Sequence, residues 1–176
     1  MNSKQNFHPE IEEKINVQIG NELNAFYVYL AISNWCRRTD IALYGAAKYF
    51  LNQSNEERQH AQKLIEYQND RGGKVELATL ESPSKQEWQS LLEAFKDAFD
   101  LEQANNKALL ELHALASEKN DPDLTNLLEE FYLREQVYEI KEMAAKYAQL
   151  KRVGEGLGVH LFDKELAEEM EKKKED

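Results

Sequence analysis

Hydrophobic residues recur along most of this chain at alternating steps of four and three, the period of a helix with one buried face. Four long stretches carry that pattern. In the first, Ile11, Ile15, Ile19, Phe26, Leu30 and Ile32 mark the apolar side of a helix expected over 10–39. Pro9 opens it, and Glu10, Glu12 and Glu13 complement its dipole. The second, expected over 44–71, repeats Ala46, Phe50, Gln53, Glu57, His60 and Leu64 and is ended by Arg71-Gly72-Gly73. The third, expected over 87–119, takes Ser84 as N-cap and Glu87 as its capping-box partner. Its stripe is Trp88, Leu92, Phe95, Phe99, Glu102, Asn106, Leu109, His113 and Ala116. The fourth, expected over 122–152, follows Asp121-Pro122 and carries Leu128, Tyr132, Gln136, Ile140, Met143, Tyr147 and Leu150. Glycines at 154, 156 and 158 form a joint before a short fifth helix over 157–170. Its Leu157, Leu161 and Phe162 are too few for a core of their own, and the charged tail from Glu171 is expected to be flexible and solvated.

The connections set the topology. Short links after the first and third helices make each pair antiparallel. The link between the second and third is longer: some fourteen residues, through Pro83 to Glu87, show no sustained period. A helix of about 27 residues is roughly 40 Å long, and about 14 extended residues reach nearly 50 Å. Such a loop can run the length of a bundle and set the third helix parallel to the second. The expected fold is all-α, a single domain built as a four-helix bundle with a long crossover and a short fifth helix.

Composition narrows the classes of function. At 176 residues, 41% of them hydrophobic, the chain can bury a proper core. A net charge of −11 opposes binding to nucleic acid and favours cations. The lone cysteine, Cys36, allows no intrachain disulfide and reads as a small apolar filler. No run approaches the roughly 20 apolar residues of a membrane span. The first residues lack the apolar centre of a signal peptide, so a cytoplasmic location is expected.

Each long helix carries a polar interruption inside its apolar stripe: Glu22 in the first, Glu57 with His60 in the second, Glu102 in the third, Gln136 with Glu139 in the fourth. Glu57 and His60 lie three apart and share a face; Tyr29 follows Glu22 by two turns. A buried carboxylate costs too much unless something inside binds it. Carboxylate oxygens and an imidazole nitrogen converging from four helices suit a transition-metal ion. The alternative on spacing alone is a set of buried polar groups satisfying one another.

At these residues the chain resembles the ferritins. The resembling segments are Asn24-Ala25-Phe26-Tyr27-Val28-Tyr29-Leu30, Ala47-Lys48-Tyr49-Phe50-Leu51, Glu56-Glu57-Arg58-Gln59-His60-Ala61, Asp70-Arg71-Gly72-Gly73, Leu110-Glu111-Leu112-His113 and Leu161-Phe162-Asp163-Lys164. They run in order over nearly the whole chain and are similar to the eukaryotic heavy-chain type. The resemblance implies a ferroxidase that oxidises two Fe(II) with dioxygen and stores ferric mineral in a hollow homo-oligomeric shell of twenty-four subunits. It implies that Glu22, Glu57 and His60 hold a first iron, with Glu57 bridging to a second held by Glu102. Glu56 becomes an auxiliary carboxylate, Gln136 orients a ligand, and Tyr29 assists redox.

The departures are informative. Gln59 and Gln62 stand where many heavy-type chains continue with acids that nucleate mineral. Glu139 stands where some microbial members place a third-iron ligand, and with Glu56 or Gln136 it is expected to form a transit site. The family's three-fold channel falls at Asn126 and Glu129, with Glu130, His113 and Thr125 nearby, so one ring of acids has become neutral. Leu157 and Leu161 are expected to line the four-fold axes as an apolar plug, with Glu165 as a ring of possible cation ligands. The rival readings are a non-enzymatic storage subunit of light-chain type and a helical-bundle interaction protein.

Overall fold

The computed structural model describes residues 3–173, and every regular element among them is helical. Three long helices, α1 (Pro9–Arg37), α2 (Tyr44–Asp70) and α3 (Leu91–Glu118), are followed by a fourth rod. That rod begins as α4 (Pro122–Leu127), passes through one π-helical turn at Leu128–Tyr132 and continues as α5 (Leu133–Val153). The short α6 (Leu157–Lys172) ends the described chain; the last three residues of the charged tail, 174–176, lie outside it. No helix among the described residues is long and apolar enough to cross a membrane.

Side-chain bonds give the directions. Ser33 Oγ donates to the Ala47 carbonyl, Ser54 Oγ to the Phe26 carbonyl and Gln68 Nε2 to the Glu12 carbonyl, so α1 and α2 are antiparallel. Lys119 meets Glu10, Lys14 meets Glu111 and Asn105 meets Glu22, so α3 is antiparallel to α1 and hence parallel to α2. Gln136 meets Glu102 and His113 meets Glu129, which closes the bundle with the fourth rod antiparallel to α3. The result is the four-helix bundle, long crossover and short extra helix that the hydrophobic pattern predicts.

The crossover corrects one expectation. The third helix starts at Leu91, four residues after the predicted start, and its N-cap is Ser90 rather than Ser84. Ser90 Oγ accepts from Glu93 N at 3.2 Å, and the Glu93 carboxylate accepts from Gln89 N at 2.7 Å. Both serines precede a glutamate by three residues, so the local signal is degenerate. Trp88 decides between them. Its ring sits edge-on to Trp35 at 5.6 Å and its Nε1 donates to Asp97 at 2.9 Å, anchoring the chain just ahead of the helix. The loop is also pinned lower down, where Asn16 donates to the Lys74 carbonyl and accepts from Glu76 N, each at 3.0 Å.

Two buried faces also differ from the expected stripes. In α1 the buried set beyond Glu22 is Ala25, Tyr29, Ile32, Ser33, Trp35 and Cys36, while Phe26 and Leu30 are only half-buried. In α3 it is Leu91, Ala94, Phe95, Ala98, Glu102, Asn105, Leu109, Leu112 and Ala116. Asn106 and His113 turn toward the edge. Small residues at 25, 94 and 98 let neighbouring helices approach, and the contact face shifts by one position to follow them.

Two apolar clusters fill the bundle. An aliphatic one around Ile11, Ile15, Ile19, Leu64, Leu109 and Leu124 occupies one end. An aromatic one around Tyr29, Trp35, Tyr49, Phe50, Phe95 and Phe162 occupies the other. α6 docks on the aromatic end through Phe162, Leu166 and Met170. It lies so close to α2 that a Cβ on Gly45 would fall 1.8 Å from the Asp163 carbonyl oxygen. Asp163 Oδ1 caps α2 by accepting from Ala46 N at 2.8 Å. Leu157 and Leu161 remain 71% and 51% exposed, and Glu165 is exposed as well.

Candidate metal centre

Between the two apolar clusters lies a belt of buried polar side chains, one or more from each long rod. Glu22, Glu57, His60, Glu102 and Gln136 are each at most 6% exposed. Their helical registers, one polar residue in each apolar stripe, aim all of them inward at the same height.

Their hydrogen bonding is uneven. Both oxygens of Glu22 are occupied: Gln18 Nε2 donates to Oε1 at 2.8 Å and Asn105 Nδ2 to Oε2 at 2.9 Å. Both oxygens of Glu102 are occupied too, Oε1 by the Tyr29 hydroxyl and Oε2 by Gln136 Nε2 at 3.0 Å. Gln136 Nε2 also lies 3.0 Å from the Glu102 carbonyl oxygen. Glu57 is the reverse. It is fully buried, and neither of its oxygens has a hydrogen-bond partner. Its nearest cation is His60, whose Nδ1 lies 3.6 Å from Glu57 Oε2. The other imidazole nitrogen, Nε2, is 3.3 Å from Glu135 Oε2, an ion-pair contact that lacks hydrogen-bond geometry. Tyr132 holds the His60 backbone by donating to its carbonyl at 2.8 Å, and the Phe131 and Tyr132 rings pack edge-on against the imidazole. Both aromatics belong to the π-helical turn, whose wider coil presents successive rings to one side chain.

Burial and crowding set the proton affinities. Burial holds Glu57 well above the ordinary carboxyl range; the His60 contact opposes it, and Glu22 and Glu102 add to it. Glu102 is raised by burial against the opposing bonds from Tyr29 and Gln136. Burial pushes Glu139 up to about 9, with help from Glu102. Burial alone would lower His60, but the Glu135 and Glu57 carboxylates outweigh it and push the imidazole up to about 11. Tyr29 is raised well above the normal phenol range by burial and by Glu102. With so many acids around one imidazole, protons stand where a cation would bind.

Among the described residues three sets bring ligand atoms within 4.8 Å of one another: Glu22, Glu57 and His60; Glu57, Glu102 and Glu139; His60, Glu135 and Glu139. Glu57 belongs to the first two, and His60 links the first to the third. The unpaired Glu57 oxygens are the best fit to a cation, because a buried carboxylate with no donor is stable only when something positive meets it. Carboxylate oxygens and one imidazole nitrogen suit iron or another first-row ion better than a thiophilic one.

The other residues singled out in the sequence lie outside the three sets. Glu56 is half-buried, takes a hydrogen bond from Asn52 at 2.9 Å, and belongs to none of the three sets. Gln59 and Gln62 are exposed on a groove of about 480 Å³ beside His60, which Glu56, Glu66, Phe131 and Glu135 also line. At the start of the fourth rod His113 Nε2 meets Glu129 Oε1 at 2.7 Å, while Asn126 and Glu130 are exposed. The Thr125 hydroxyl is spent on the carbonyls of Asp121 and Pro122.

Three residues of the belt escaped the sequence reading. Glu135 was readable as one turn before Glu139, on the same face. Gln18 stands one turn before Glu22. Asn105 is concealed because the four-and-three spacing favours its neighbour Asn106 as the inward residue.

Residues 12–153 match the ferritin family model, described as a ferritin-like domain. That span contains the four long rods except the first three residues of α1, and every residue of the polar belt. The bundle, the crossover and the inward carboxylates agree with it, and the chain belongs to the ferritin family.

Proposed function

We propose that this chain is a ferroxidase that oxidises Fe(II) with dioxygen at the polar belt and stores the ferric product inside a shell built from copies of itself. The observation that carries the reading is Glu57, whose two unpaired, buried oxygens sit where two ligand sets overlap. Glu22, Glu57 and His60 hold one Fe(II), and Glu102 with Glu57 holds the second. Iron is the substrate here, and hard carboxylate donors favour its ferric state, which lowers the cost of oxidation.

The chain's own residues prepare the site for turnover. Glu22 and Glu102 are aimed by their hydrogen bonds before any ion arrives. Glu57 is the ligand suited to serve both positions, because neither of its oxygens is committed to a hydrogen bond. His60 must release its proton to offer a nitrogen lone pair, and the raised carboxyls of Glu57 and Glu102 must do the same. Loading with Fe(II) therefore releases protons. Tyr29 supplies a phenol hydrogen bond to Glu102 and sits within reach of the reaction. Glu139 and Glu135 continue the ligand line from Glu102 and His60 toward the open groove, a path by which product leaves.

Stopped-flow absorbance of aerobic Fe(II) oxidation, run with a pH indicator, tests this reading. The expected result is oxidation well above the buffer rate, with proton release preceding the ferric absorbance. Oxidation at the buffer rate overturns it in favour of the non-enzymatic storage subunit. A monomer on a sizing column removes the storage half of the proposal.

A further inference from the structure

Glu22 is held by a line of amides that begins near the surface. Asn21 Nδ2 donates to Gln18 Oε1 at 3.0 Å, which turns the Gln18 amide so that its Nε2 faces inward. From there Nε2 donates both to Glu22 Oε1 at 2.8 Å and to Asn105 Oδ1 at 2.7 Å. With its oxygen so engaged, Asn105 presents Nδ2 to Glu22 Oε2 at 2.9 Å. Each amide fixes the orientation of the next. Flipping Asn105 would set its oxygen against the Glu22 carboxylate and its NH₂ against that of Gln18, at two contacts from which water is excluded. Gln18 and Asn105 are 1% and 7% exposed, so a bond lost from their inner contacts is not replaced there by bulk water.

The clamp leaves Glu22 only the lone pairs that face the belt. Asn105 also floors an outer pocket of about 200 Å³ between α1 and α3, formed with Asn21, Asn24, Leu101 and Ala104. The same side chain therefore aims Glu22 and separates it from that pocket. A ligand held this way pays little ordering entropy on binding, which is how outer hydrogen bonds strengthen a metal site.

We propose that Asn105, acting with Gln18, is the positioning residue that fixes the aim of Glu22 at the first metal position. This rests on the metal-centre reading above. Asn105→Leu keeps the bulk that closes the pocket and removes both hydrogen bonds. Asn105→Asp keeps the shape and turns the donor into a second acceptor facing Glu22.

The test is anaerobic titration of the metal-free assembled protein with Co(II), followed by visible absorbance, with occupancies placed by anomalous diffraction. The wild type is expected to take Co(II) both at Glu22 with His60 and at Glu102. Both variants are expected to lose about 10–100-fold in affinity at the Glu22 position, the range typical of residues that orient ligands, while the Glu102 position is unchanged. If the variants bind at Glu22 like the wild type, the clamp is overturned, whether or not their melting temperature moves. If the wild type takes no Co(II) in the belt, the metal-centre reading falls and the clamp with it. Should Asn105→Leu fail to assemble, Asn105→Asp and Gln18→Leu carry the same comparison.

Discussion

Two kinds of carboxylate share one belt. Glu22 and Glu102 are pinned, each oxygen meeting an amide or a phenol. Glu57 is loose, with neither oxygen held, and Oε2 of Glu139 likewise has no donor. Glu22, Glu57 and Glu102 are equally buried, so burial does not distinguish the pinned from the loose. The neighbours do. A pinned carboxylate is a preformed ligand with one direction, whereas a loose one can follow an ion from one position to the next. On the proposed function, a centre that catches iron and passes it on uses both kinds.

Substitutions can break this contrast, and the largest effect is expected at the loose ligand that two sets share. Glu57→Ala should slow Fe(II) oxidation at least about 100-fold, beyond what loss of an orienting residue gives. Initial rates under air-saturated buffer measure it, and a loss under tenfold would remove Glu57 from its central role.

Stability without metal should separate the two kinds by sign. Glu57→Met removes a buried acid whose oxygens accept no hydrogen bond and whose one cationic neighbour, His60, keeps its contact with Glu135, and is expected to stabilise the metal-free chain by about 1–3 kcal/mol. Glu22→Met strands the donors of Gln18 and Asn105 and is expected to destabilise it by about 1–3 kcal/mol. Denaturant unfolding of the metal-free proteins compares them. Equal shifts of one sign would erase the distinction.

Tyr29→Phe tests a pinned ligand more gently. It deletes one bond to Glu102 without altering the packing of the ring on Phe50, 6.0 Å away. The expected cost is about 1 kcal/mol of stability, with oxidation slowed by less than about tenfold. Glu102 would then move in crystals of the variant; an unmoved Glu102 would show that Gln136 suffices to hold it.

The loose acids should also show in a pH dependence. Glu139 is pushed up to about 9 in the folded chain, against about 4.5 when exposed. The folded state thus keeps a proton that the unfolded chain gives up, and Glu139 costs stability progressively as pH rises from 4.5 to 9. His60, raised to about 11, acts in the same direction at higher pH: its contribution is complete below 6.5 and fades as pH climbs toward 11. The melting temperature of metal-free Glu139→Gln should therefore match wild type near pH 4.5 and exceed it by a widening margin up to pH 9. A margin independent of pH would show that Glu139 is not held as an acid in the fold.

Much of this is legible in the sequence, and the reason is periodicity. Glu57 and His60 were visible because a carboxylate and an imidazole in an apolar stripe contradict the stripe. Glu22, Glu102 and Gln136 stood out the same way. Glu135 and Gln18 were harder, since each sits beside a more obvious polar residue, and helical spacing alone does not say which of two neighbours turns inward. Asn105 is hidden because the spacing fits a face one residue away from the buried face of α3, and Ser90 because Ser84 carries an identical capping signal.

By itself, then, the sequence determined four amphipathic helices, their directions and the depth at which each carries a polar side chain, because those properties follow from local spacing and loop length. Tertiary structure decided which hydrogen bonds those side chains make. Whether a carboxylate is pinned or loose depends on residues far away in the chain, as Asn105 is from Glu22 and Tyr29 from Glu102. The π-helical turn that sets Phe131 and Tyr132 against His60 is of the same kind. No local pattern encodes such pairings, because they arise only when helices from distant parts of the chain pack at a common height.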